Sequence, residues 1–154
     1  MPPGTTGLLE SPSRKLNKIT VVDSFPLPRV DDTIDILHGA QYFSTMDLMS
    51  SYWQVALSHS ARQKSAFITY GGLWEFKVMP FGLNNAPATF QRLMENILKD
   101  PNYRIALCYL DYIIVFSKTF DDHLLHLREV FDRLRANIKL KVANVVLCKL
   151  KWII

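Results

Sequence analysis

The chain has 154 residues, 49% of them hydrophobic, and its 18 basic and 14 acidic side chains leave a net charge of +4. That length builds about one domain, and so small a basic excess is compatible with a nucleic-acid partner without arguing for one. Cys108 and Cys148 sit far apart inside apolar runs and read as buried thiols of a reducing compartment, not as a disulfide framework or metal site, and no apolar run reaches the roughly eighteen residues of a membrane helix.

Residues 1–13 are rich in Pro, Gly, Ser and Thr, lack the basic start of a signal peptide, and are expected to form a disordered lead, with the cytoplasm as default location. Order is expected from Arg14. Prolines make Phe25-Pro-Leu-Pro-Arg29 extended, and a short helix follows over 30–39, closed by Gly39. Residues 42–48 read as a strand, with further strands at 53–57, 66–70 and 73–78, the last two joined by a turn at Tyr70-Gly71-Gly72-Leu73. Asn84 or Asn85 is expected to cap a helix running to about Lys99, with Pro87 in its first turn. Residues 105–116 read as two short buried strands meeting at a tight turn. Phe120, Leu124, Leu127, Val130, Phe131 and Leu134 recur at helical spacing and predict an amphipathic helix over 119–137, its stripe belonging to the core. The stretch 138–154 reads as one or two strands. The order suits an α+β fold, an antiparallel sheet covered on one face by helices.

Asp47 and Asp111 lie inside strongly apolar stretches. An isolated buried carboxylate costs several kcal/mol unless it is paired, protonated or bound to a metal. Read alone, Asp111 is a turn-forming residue between hairpin strands. With Asp47 on a neighbouring strand, two carboxylates could instead share a divalent cation. Beside Asp111, where a third carboxylate would complete such a site, stands Tyr112.

Four stretches resemble the reverse transcriptases of long-terminal-repeat retrotransposons, particularly the Ty3/gypsy type. They are Arg14-Lys-Leu-Asn-Lys18 with Phe25-Pro-Leu-Pro-Arg-Val-Asp-Asp32; Tyr42-Phe-Ser-Thr-Met-Asp47-Leu-Met-Ser-Ser-Tyr52-Trp-Gln54; Val78-Met-Pro-Phe-Gly-Leu-Asn-Asn-Ala-Pro-Ala-Thr-Phe-Gln91; and Tyr109-Leu-Asp-Tyr112. The resemblance implies a reverse-transcriptase palm with partial fingers and a two-metal nucleotidyl transfer that copies an RNA or DNA template-primer with deoxynucleoside triphosphates. It implies Mg²⁺ as cofactor, with Mn²⁺ as a substitute, and association with other Pol subunits as well as with nucleic acid.

Carried over residue by residue, Asp47 and Asp111 match catalytic metal-binding aspartates and Leu48 a backbone metal ligand. Arg14 matches a fingers arginine on the incoming triphosphate, a role suited to a permanently charged bidentate donor. Tyr52 matches the aromatic gate against a ribose 2′-hydroxyl, Phe81 and Gly82 the loop beneath the nucleotide, and Tyr109 an aromatic touching the duplex. Without the resemblance, Arg14 is a surface arginine and Tyr52 a core tyrosine. Gln91 is read as facing template or helix neighbours and is left outside the site.

The family's third aspartate is replaced by Tyr112, whose phenol, with a pKa near 10, supplies no carboxylate. Ser51 and Trp53 replace the usual Gly and His. Residues 14–154 are thus expected to form a partial domain lacking thumb and ribonuclease H, with polymerase activity lost or reduced by orders of magnitude. The alternative reading is an inactive retroelement remnant that acts at most as a nucleic-acid or protein-binding module.

Overall fold

Alternation along residues 42–48 divides the molecule in two: Ser44, Met46 and Leu48 are buried toward one side, while Phe43 packs on the other. In the computed structural model, which describes residues 12–48, 51–137 and 142–150, the elements in chain order are α1 (Pro12–Ile19), α2 (Val30–Leu37), β1 (Tyr42–Leu48), a 3₁₀ helix (Ser51–Gln54), α3 (His59–Lys64), β2 (Phe67–Thr69), β3 (Gly72–Trp74), α4 (Ala86–Ile97), β4 (Ala106–Tyr109), β5 (Tyr112–Ser117), α5 (Phe120–Asn137) and β6 (Val142–Leu150). One antiparallel sheet has the order β4-β5-β1-β6, and β2 and β3 form a separate hairpin.

The four-stranded sheet buries its first face under α4 and α5. Met46, Leu48, Ile113 and Val115 from the strands meet Phe90 and Met94 of α4 and Val130 and Leu134 of α5. Each such side chain contributes about 1.5–3 kcal/mol by leaving water. On the second face, Ile36 and Leu37 of α2 pack on Phe43, Leu107 and Phe116, which covers one end of the sheet and leaves the other open. The expected α+β arrangement is therefore present, with α2 as an additional cover.

Several expectations change. Residues 53–57 do not form a strand: Ser51–Gln54 coil into the 3₁₀ helix, and only Ala56 bridges to Val78. The apolar run there packs inward without a ladder, since Tyr52, Val55 and Leu57 join the first core. Helices α1 and α3 carry mainly polar residues and gave no apolar stripe to read; Pro12 and Ser13, expected in the loose lead, lie in α1. The remainder of that lead, 1–11, lies outside the described residues, as do 138–141 and 151–154 of the final expected strands and the side chain of Cys148. The β2–β3 hairpin is shorter than expected and turns through Tyr70-Gly71.

In α5 the stripe is displaced. Phe120 and Leu124 are exposed, whereas His123 is fully buried. Its imidazole lies 2.8 Å from Ser117 Oγ through Nδ1 and 2.7 Å from Ser44 Oγ through Nε2. Ser117 Oγ–H donates to the Thr119 carbonyl, so Nδ1–H donates to Ser117 and Nε2 accepts from Ser44. In this tautomer the neutral ring joins α5, β1 and β5. Burial, and secondly the neighbouring His126, push the His123 pKa down.

The folded ring therefore takes a proton less readily than the unfolded one, whose pKa is near 6.5. The network's contribution is whole above that value and is lost as pH falls below it. Thermal melts should show the midpoint falling from pH 7.5 to pH 5.5, and falling less in His123→Gln; parallel pH profiles for the two proteins would contradict the assignment.

Candidate active site

Asp47 leaves β1 on the open face, opposite in direction to Met46 and Leu48. Its partner on β5 is Tyr112 and on β6 Asn144. Paired positions share a face, so Tyr112 stands directly beside Asp47, where a third carboxylate would lie, and it is 55% exposed. Asp111 sits one residue earlier, in the two-residue loop that joins β4 to β5. Its backbone carbonyl accepts a hydrogen bond from Leu48 N–H at 2.9 Å, which laces the loop onto β1 one residue beyond Asp47. Asp47, Leu48 and Asp111 are thus brought to one end of the sheet.

The loop is held from beneath. Leu110 has φ +54°, on the left-handed side of the map, where a branched side chain costs about 1–3 kcal/mol. Gln91 of α4, fully buried, accepts from Leu110 N–H at 2.7 Å through Oε1 and donates through Nε2 to the Cys108 carbonyl and to Glu95, each at 3.1 Å. The Cys108 thiol lies 3.4 Å from the Leu110 carbonyl and donates to it. Burial, then Glu95 and Asp111, push that thiol's pKa up to about 12, so the donor proton stays in place. Gln91 was read as facing template or helix neighbours; among the described residues its helix partner is Glu95, and its other two bonds reach β4 and the loop. The one sequence signal was a glutamine beside Phe90 on a helix face otherwise made of core residues.

On the side toward α4, Tyr52 packs edge-on against Phe81 and Phe90, with ring centroids 5.3 and 5.6 Å apart. Burial first, and the charge of Asp111 second, raise its phenol pKa. Trp53 leans on Phe81 at 5.6 Å, and both are about half exposed. Gly82 has φ +87°, which explains glycine there, and a Cβ on it would meet Ser13 Oγ at 3.2 Å. Helix α1 therefore lies against this loop. Asn17 ties it there: its Nδ2 donates to the Gly82 carbonyl at 2.6 Å and its Oδ1 accepts from Asn84 N–H at 2.9 Å. Arg14 is exposed on that same helix. Asn85, expected as a possible helix cap, makes no side-chain cap; it binds the Val21 carbonyl and Asp23 N–H of the segment between α1 and α2 instead. Tyr109 is separate from this group. It lines a small crevice with Pro28, Thr33, Leu107, Tyr112 and Ile114, on the sheet face that Tyr112 and Asp47 share.

Two carboxylates and a backbone carbonyl are hard oxygen donors suited to a divalent cation of the Mg²⁺ type. Among the described residues no group of three His, Cys, Asp or Glu side chains could hold a metal. Asp47, Asp111 and the Leu48 carbonyl have the chemistry such a cation takes, and Tyr112 adds no carboxylate to them. Ser51, at the family's usual glycine, is buried, and its hydroxyl has no hydrogen-bond partner among the described residues.

An antiparallel sheet under two helices, with aspartates on a strand and an adjoining hairpin loop, defines the palm of a nucleic-acid polymerase. The chain belongs to the reverse transcriptase (RNA-dependent DNA polymerase) family, whose model it matches over residues 5–145. It is 45% identical over 130 residues to the retrovirus-related Pol polyprotein from transposon 297 of Drosophila melanogaster, a match that covers 84% of this chain and 12% of that protein. It is 42% identical over 120 residues to an RNA-directed DNA polymerase homolog of Oenothera berteroana, covering 76% of this chain and 84% of that one. The foamy viral protease-reverse transcriptase in complex with an RNA/DNA hybrid shares the fold, with a TM-score of 0.73 at 24% identity over 87% of this chain and 18% of that chain. These matches make it a reverse transcriptase domain of the long-terminal-repeat retrotransposon Pol type. Enzymes of this family use divalent metal ions.

A buried hydroxyl without a partner is costly, and its removal relieves the fold. Ser51→Ala should raise the stability by about 1 kcal/mol in urea denaturation. An unchanged or lowered midpoint would show that Ser51 is satisfied.

Proposed function

We propose that this domain performs RNA-directed DNA synthesis with a weakened metal site. The observation that carries the reading is the meeting of Asp47 and Asp111 through the Asp47–Tyr112 pairing and the Leu48–Asp111 hydrogen bond. In the reaction, a primer 3′-oxygen bonds to the α-phosphorus of a deoxynucleoside triphosphate while the bond to the leaving pyrophosphate breaks. A divalent cation bound at the site supplies stabilisation of charge on the attacking and leaving oxygens.

Asp47 and Asp111, with the Leu48 carbonyl, would hold that cation, Mg²⁺ by preference for hard oxygen ligands and Mn²⁺ as a substitute. The exposed Arg14 on α1 is the donor for the triphosphate. Phe81 and Gly82 form the floor beneath the sugar and base, and Tyr52, wedged between Phe81 and Phe90, excludes a 2′-hydroxyl by sheer volume. Tyr109 meets the template-primer duplex. The phenol of Tyr112 offers no carboxylate at neutral pH, so the site has two anionic ligands where three would complete it.

Primer extension on an oligonucleotide-primed RNA template separates these roles. The unmodified chain should extend slowly, Tyr112→Asp faster by about 100-fold or more, and Asp47→Ala not at all. Equal rates for the unmodified chain and Tyr112→Asp would show that the missing carboxylate is not limiting. Silence of all three proteins with both Mg²⁺ and Mn²⁺ would overturn the polymerase reading for this chain.

A further inference from the structure

We propose that Gln91 is a positioning residue of the site: its buried side-chain amide fixes the Leu110-Asp111 loop and thereby sets Asp111 against Asp47. The inference rests on the polymerase reading of those two aspartates.

The position Gln91 occupies is one an apolar residue would be expected to fill. It lies on the core face of α4 with Ala88, Phe90 and Met94, and none of its surface is exposed. A primary amide there is tolerable only if its polar atoms are paired, and three of its four hydrogen-bonding valences are. Two of those bonds go to backbone groups that bracket one peptide segment, the Cys108 carbonyl just before the loop and Leu110 N–H within it. The amide is matched to that segment as an acceptor and a donor at once, which no apolar side chain or carboxylate of the same length reproduces.

The segment needs such a holder. A leucine at φ +54° persists only where its surroundings over-determine it. Here the contacts are Gln91 on the Leu110 N–H, the Cys108 thiol on the Leu110 carbonyl, and Leu48 N–H on the Asp111 carbonyl. The first comes from a helix packed in the core, so the position of α4 is passed to the loop through one rigid side chain. The two-residue hairpin itself sets the sign of that φ, and removal of the Gln91 contact loosens the turn where it is tied to α4, so that the following residue, Asp111, shifts relative to β1.

The test uses the full 154-residue chain and Mn²⁺ as the probe, with unbound Mn²⁺ counted by its electron paramagnetic resonance signal. The unmodified chain should bind Mn²⁺ in a manner abolished by Asp47→Ala. Gln91→Met, close in shape but without either hydrogen bond, should weaken that binding about tenfold or more while near-ultraviolet circular dichroism and a cooperative melt show an intact fold. Gln91→Asn, whose amide keeps both functions one methylene short, should fall between.

A purely structural role would lower the melting temperature of Gln91→Met and leave the folded protein's Mn²⁺ affinity unchanged, and that result overturns the inference alone. An unmodified chain that binds no Mn²⁺ at the aspartates overturns the polymerase reading with it. Should Gln91→Met fail to fold, Gln91→Asn carries the same comparison, and full retention of affinity there is equally fatal.

Discussion

The antiparallel ladder between β1 and β5 is the constraint on which the rest of the molecule depends. It runs from Tyr42 opposite Ser117 to Asp47 opposite Tyr112. Side chains alternate with a period of two, so a slip of one residue would turn Asp47 into the core and bring Met46 to the surface. Met46, Ile113 and Val115 are each almost completely buried against α4 and α5. Their combined transfer from water, several kcal/mol, far exceeds what any polar contact on the open face could contribute. The hydrophobic half of the ladder therefore dictates where the carboxylate half stands, and the site's geometry is a by-product of core packing.

That coupling explains which parts of the structure were legible in the sequence. Residues 42–48 and 105–116 were readable because alternation and apolar runs report burial directly, and Asp47 and Asp111 stood out against them. The segment 53–57 misled, because Val55 and Leu57 are core residues that follow the 3₁₀ helix and flank a single bridge at Ala56 instead of lying in a ladder. In α5 a helical stripe was visible, but its phase was off by part of a turn, since a buried imidazole satisfied by Ser44 and Ser117 is indistinguishable in sequence from a surface histidine. Helix α1 and the contacts of Asn17, Asn85 and Gln91 were invisible for a different reason. Each is a hydrogen bond between residues tens of positions apart, or between neighbours across a fold, and periodicity carries no information about such partners.

The two sides of the site are fastened differently. The hairpin loop that bears Asp111 is held by a buried amide and a strand. The wing that bears Arg14 is held by partly exposed polar contacts: Asn17 on the Gly82 loop, Asn85 on the segment after α1, and Arg92, which pairs with Asp23 at 2.7 Å and lies 4.7 Å over the Phe25 ring. Solvent-exposed pairs of this kind contribute about 0–1 kcal/mol each. Local opening follows burial, so the wing separates from the sheet at less cost than the loop separates from α4. On the proposed reading, a triphosphate held by Arg14 would meet an adjustable arm, whereas the Asp111 loop stays in place.

Tyr112 illustrates how far the fold can be indifferent to the chemistry it supports. The residue is 55% exposed, on the face opposite Ile113, and takes no part in either core. A tyrosine suits a strand better than an aspartate does, and its ring lies across the hairpin from Tyr109. An aspartate in its place would set a third negative charge beside Asp47 and Asp111, and without a cation those charges repel one another. The same exchange therefore suits the metal-free sheet and removes a carboxylate that the proposed cation site would use. Activity and stability pull in opposite directions at this position, because the carboxylate cluster that a polymerase needs is, in the absence of its ions, a local defect in the fold.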